Sequence, residues 1–195
     1  MGLRDILTGR HQVKGPAPDR LFAISTAYIT LESEHQIMPA GKAAIVFQAL
    51  ATSEFEATLK EMEEVVTATG SESATSVSTE DDSFGYRWMV LRNPPAAPSV
   101  EDLAVGINAV SSSIETAGHG ERLLCAVFAF TDSRKNPIYF IYNYKRGYWY
   151  PFVPAVGAKQ ERSTERELQI KAQMASELPI EPEIERWFPL WGIPI

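Results

Sequence analysis

Apolar and polar positions alternate cleanly in one stretch of this chain. Phe84, Tyr86, Trp88 and Val90 interleave with Gly85, Arg87, Met89 and Leu91, the two-residue period of a strand with distinct faces. Leu123–Phe130 is instead almost continuously apolar, as expected of a strand covered on both sides. Ile138–Tyr144 and Tyr148–Tyr150 follow as two further strands. The first turn between them carries Asp132, Ser133, Asn136 and Pro137; the second is Lys145-Arg146-Gly147. Upstream, Tyr28–Ser33 and Ala43–Gln48 read as a strand pair joined by a loop with Pro39 and Gly41. An edge strand is expected near Thr75–Thr79, inside an otherwise polar loop from Gly70 to Ser83.

A period of 3.6 residues marks the helices. Ser53 and Glu56 have the spacing of a capping box, followed by Phe55, Leu59, Met62 and Val66 on one face; Glu56 and Lys60 are spaced to pair, and Gly70 is placed to end the helix. Ser99 caps the stripe Val100, Leu103, Ile107, Val110 and Ile114, and Gly118 ends it. Thr164 and Glu167 predict a third helix to about Leu178, with Leu168, Lys171, Ala175 and Leu178 on one side. Asp19 can cap a short helix over residues 20–25, and Pro182 suits the first turn of another. The expected order is a short helix, a strand pair, a helix, a strand pair, a helix, three strands and a helix. Short connections pair neighbouring strands antiparallel, which gives an α+β fold. About six or seven strands form the sheet, with three main helices packed largely on one face. Residues 1–18 form a separate N-terminal segment and residues 19–195 one domain.

Charge adds one asymmetry. Residues 1–20 sum to +2, 21–82 to −9, 83–159 to +3 and 160–195 to −3, for a net −7. Without a basic block the chain is not expected to bind nucleic acid, because such binding must neutralise phosphates. One cysteine rules out an internal disulfide, and neither a signal-type apolar stretch nor a run long enough to span a bilayer occurs. A cytoplasmic protein is expected.

Chemistry is sparse. His11, His35 and His119 have no metal-ligand spacing, and Glu32, Glu34 and His35 alternate across an expected strand. Cys125 lies inside an apolar strand, where burial suppresses the thiolate. No phosphate-binding glycine loop and no nucleophile elbow is present. No catalytic, cofactor-binding or metal-binding residue is therefore assigned, and the chain is expected not to be an enzyme.

The features left over suit contact with a partner. Leu3, Ile6 and Leu7 give the N-terminus an amphipathic face, and Lys145 and Arg146 sit at a turn beside Tyr148 and Trp149. Trp187, Phe188, Leu190 and Trp191 either fold back across the sheet or form a contact for another protein, with Trp187 and Trp191 as its candidate residues, the former being favoured. A pocket near Tyr86, Lys145 and Trp149, serving a small ligand or an enzyme, is the alternative.

Several of these segments together resemble the PspA-associated protein family PspAB. They are Asp82-Ser83-Phe84-Gly85-Tyr86-Arg87-Trp88, Arg122-Leu123-Leu124-Cys125-Ala126-Val127-Phe128, Tyr142-Asn143-Tyr144-Lys145-Arg146-Gly147 and Glu177-Leu178-Pro179-Ile180-Glu181-Pro182. The ending Arg186-Trp187-Phe188-Pro189-Leu190-Trp191 and the opening MGLRDILTGR are similar too. The resemblance implies an accessory or adaptor of the phage-shock (PspA) response to membrane stress. It implies a PspA-like helical protein as partner, and an indirect association with the inner face of the cytoplasmic membrane. It transfers no catalytic residue.

Overall fold

Strand pairing follows the apolar pattern. A computed structural model describes residues 18–69, 75–82, 84–157 and 159–195. Its sheet contains β1 (Met38–Gln48), β2 (Ser76–Asp81), β3 (Tyr86–Arg92), β4 (Leu123–Thr131), β5 (Pro137–Asn143) and β6 (Tyr148–Phe152). The spatial order is β2-β3-β1-β4-β5-β6, every neighbour antiparallel. The two most continuously apolar strands, β1 and β4, lie at the centre, where both faces are covered. The polar β2 takes one edge. The other edge, β6, is partly closed by the chain near Ile180, where the Trp149 N–H donates to Pro179 O at 2.9 Å and the Glu181 N–H to Trp149 O at 2.8 Å.

One face of the sheet carries the helices: α1 (Pro18–Phe22), α2 (Ile24–His35), α3 (Ser53–Thr69), α4 (Val100–Thr116) and α5 (Thr164–Met174). In α4 the Ser99 hydroxyl accepts the Asp102 N–H at 3.1 Å, and the predicted stripe from Val100 to Ile114 is buried. In α3 the predicted Phe55, Leu59, Met62 and Val66 are buried as well. Each such side chain stabilises the fold by roughly 1.5–3 kcal/mol relative to exposure.

Five expectations are corrected. Tyr28–Ser33 is not a strand but part of α2, because Ile24, Ala27 and Leu31 recur at helical spacing and are fully buried while the β-branched Ile29 faces solvent. Pro39 and Gly41 lie within β1 rather than in a loop, because a bulge between Pro39 and Lys42 absorbs the extra residues. Gly41 takes φ +67° there and accepts the Asn93 N–H at 2.8 Å. The hydroxyl that caps α3 belongs to Thr52, which accepts the Phe55 N–H at 3.3 Å; Glu56 pairs with Arg87 on β3. Helix α5 stops at Met174 and buries Glu167, Ile170 and Met174, while Leu168 is exposed. The expected helix after Pro182 is one turn of 3₁₀ geometry, Ile184–Arg186.

The face without helices is covered by the C-terminal tail, as the aromatic ending suggests. Trp187 stacks on Tyr150 at 6.3 Å and Trp191 meets Phe152 edge-on at 5.0 Å. The Tyr150 hydroxyl donates to Phe188 O at 3.0 Å, and the Trp187 indole N–H to Glu181 O at 3.0 Å. The tail leaves one end of the face open.

Candidate functional site

The open end is a groove of about 660 Å³. Its floor follows from the pleat. Val46 on β1, Trp88 on β3, Cys125 on β4 and Tyr150 on β6 all point away from the helices and form one apolar layer, with Leu124 beside them. The segment Phe188–Gly192 makes one wall. Asp82, Phe84, Tyr86, Asn143, Lys145 and Gln160 stand at the mouth. Phe84 and Phe188 are 77% and 59% exposed, unusual for rings of this size.

The polar groups around this groove differ in how far they are already engaged. One Asp82 oxygen accepts the Phe84 N–H at 2.8 Å and the Tyr86 N–H at 3.0 Å. The other accepts the Trp88 indole N–H at 3.0 Å, so this carboxylate builds the β2–β3 turn. The Tyr150 hydroxyl is spent on the tail, and burial raises its pKa. Burial pushes the Cys125 thiol up to about 12, which keeps it protonated on the floor. Lys145 is different: its ammonium makes no ion pair or hydrogen bond with any described residue.

The predicted contact residues separate into several environments. Tyr86 and Lys145 are brought together at the groove mouth, and Trp191 lines the wall. Trp149 is on the opposite face from this groove. It is one residue out of phase with Tyr150, 0% exposed, and its indole N–H donates to Arg20 O at 2.7 Å. Trp187 is buried to 2% under the tail. Burial of Trp149 corrects its expected place in a contact surface, whereas burial of Trp187 follows the favoured alternative, in which the ending folds back across the sheet. Arg146 is drawn into pairs with Glu181 and Glu183, and the Arg20 guanidinium lies 5.0 Å over the Tyr148 ring. Leu3, Ile6 and Leu7 lie outside the described residues. Phe84 was missed as a site residue, the available signal being a large ring at a polar Asp-Ser-Phe-Gly turn; Phe188 was named with the aromatic ending but not singled out as a contact residue.

A second concavity of about 340 Å³ lies between α3 and the β2–β3 hairpin. Its Arg87 is held by Asp81 at 2.7 Å and by Glu56 at 2.7 Å, so the guanidinium is already engaged by two carboxylates. Among the described residues no group of three or more His, Cys, Asp or Glu side chains is placed to hold a metal, and no helix is long and apolar enough to cross a membrane.

The family model for PspA associated protein B, PspAB, matches residues 1–195. The chain belongs to the PspAB family. Its name indicates association with PspA and is consistent with an accessory role. No curated protein and no solved structure matches this PspAB chain.

Proposed function

We propose that this PspAB protein is a non-enzymatic accessory of the phage-shock response that acts by direct contact with a PspA-like helical protein. The observation that carries the reading is the exposed pair Phe84 and Phe188 at the mouth of an apolar groove, the kind of surface a partner covers. The ionisable groups there favour binding over catalysis: Asp82 is committed to its own turn and Cys125 is held protonated. The protein would work in the cytoplasm and reach the inner face of the membrane through its partner.

Capture of the PspA homologue from purified components tests this. The full-length chain, a version lacking residues 1–10 and the double variant Phe84→Asp/Phe188→Asp are compared as baits. The intact chain is expected to retain PspA and the double variant to lose it. The truncated bait reports whether the N-terminal segment adds to the contact. Failure of the intact chain to retain PspA would overturn direct contact, and undiminished capture by the double variant would move the contact off the groove. A second reading, a small-ligand-binding protein, is favoured by the groove's size and by its unpaired cation at Lys145.

A further inference from the structure

The groove's chemistry is lopsided in a way that names a ligand class. Its floor and wall are carbon and aromatic rings, from Val46, Leu124, Cys125 and Trp191 among others. At the mouth, the one carboxylate is saturated by three N–H donors. What remains for an incoming molecule includes the Lys145 ammonium and, beside it, the Asn143 side-chain amide. The Asn143 carbonyl oxygen already accepts the Lys145 backbone N–H at 3.0 Å, so its N–H₂ group is the free end. The mouth therefore offers a cation and N–H donors next to an apolar trough.

We infer that the groove binds a free single-chain amphiphile with an anionic head, of the long-chain carboxylate class, its tail on the apolar floor and its head on Lys145. The volume of about 660 Å³ falls in the range of roughly 300–1,000 Å³ typical of small-molecule sites. A cationic head would meet Lys145 unfavourably, and a neutral one would leave it unused. A protein strand is a poor occupant, because its backbone needs a partner at every residue and the strands of the floor already spend theirs on one another. An anionic bilayer is a poor one too: the chain carries −7 overall, a repulsion that accumulates over an extended charged surface and is smaller for a single head group beside Lys145. The inference deepens the ligand-binding reading of the same groove, and its test uses the purified chain without PspA, so that its failure and the failure of the PspA contact at Phe84 and Phe188 are told apart.

Trp88 and Trp191 line the groove and supply the readout. The purified full-length chain is titrated with dodecanoate, dodecanol and dodecyltrimethylammonium, each below its aggregation limit, while tryptophan emission is followed. Dodecanoate is expected to saturate the signal and to bind about tenfold or more tighter than dodecanol, the size of one charge-assisted contact. Lys145 is exposed, so Lys145→Met leaves the fold intact and brings dodecanoate to the level of dodecanol, while Lys145→Glu shifts preference to the ammonium probe. Leu124→Trp fills the trough and weakens all three probes. Equal binding of dodecanoate and dodecanol that Lys145→Met leaves unchanged would overturn the anionic head while keeping a ligand site. No saturable response to any probe would overturn the ligand site itself. Co-sedimentation with phosphatidylglycerol vesicles that dodecanoate does not displace would overturn the free molecule in favour of a membrane surface.

Discussion

Arg162 meets the carboxylate of Glu167 at 2.7 Å, and that carboxylate is only 1% exposed. The same carboxylate accepts the Val153 N–H at 2.9 Å, and Arg162 donates to Trp187 O at 2.6 Å. One ion pair thus ties the start of α5 to the chain just past β6 and to the tail that walls the groove. Removing one partner of a buried pair strands the other, so Glu167→Ala is expected to cost about 2–4 kcal/mol, discounted because Arg162 retains some solvent. The urea midpoint, at unchanged slope, measures it.

Helix α4 packs tightly against Leu91 of β3 at Gly106. A Cβ added there would lie 2.4 Å from Leu91 Cδ2, and Leu91 is fully buried. Alanine would gain about 1 kcal/mol of helix propensity but forces Leu91 out of its place, a strain of roughly 1–3 kcal/mol. Gly106→Ala is therefore expected to destabilise by about 1 kcal/mol. Combining it with Leu91→Val should cost less than the two separate losses added, and a double-mutant cycle in urea reads that coupling. Strict additivity would mean that the contact is not the cause.

The sequence pattern was most legible where one face of an element is wholly apolar, as in β3 and α4. It misled where a buried position is polar or an apolar residue is exposed. Glu167 occupies the inner face of α5, so the amphipathic count favoured Leu168, which faces solvent. In α2 the β-branched Ile29 and Thr30 imitate a strand, yet burial of Ile24, Ala27 and Leu31 decides the matter. The groove was half legible. Lys145 and Tyr86 sit at positions that turn and strand chemistry mark out, but Trp149 falls on the other face because the Tyr144–Gly147 turn fixes the phase of β6. The aromatic ending marked Phe188–Gly192 as a segment that folds back, but which strands it covers and the groove it walls depend on contacts between distant segments.

Cys125 gives a direct probe of the groove floor. With its thiol pushed up to about 12 by burial, native protein at neutral pH is expected to be alkylated far more slowly than a free thiol. Unfolding in urea should restore ordinary reactivity, and mass spectrometry after timed iodoacetamide quenching follows both. Fast alkylation of the native chain would show that the floor is open and the thiolate populated.

Glu181 links the β5–β6 turn to the tail and makes stability depend on pH. Burial alone would raise its pKa, but the Arg146 guanidinium and the Glu183 N–H outweigh it and hold the carboxyl below the usual range. The folded state therefore binds this proton less readily than the unfolded chain, whose glutamate titrates near about 4.3. The contribution is complete above that value and is lost as pH falls from it through the lowered folded value. Urea unfolding followed across this acid range should show stability falling with pH. Asp81 and Asp132, also lowered, add slope of the same sign. Glu181→Gln is expected to be less stable at neutral pH and to show a shallower acid decline, so the two curves converge at low pH. Parallel curves would place the acid sensitivity in the other carboxylates and leave the Arg146–Glu181 pair without a measurable share.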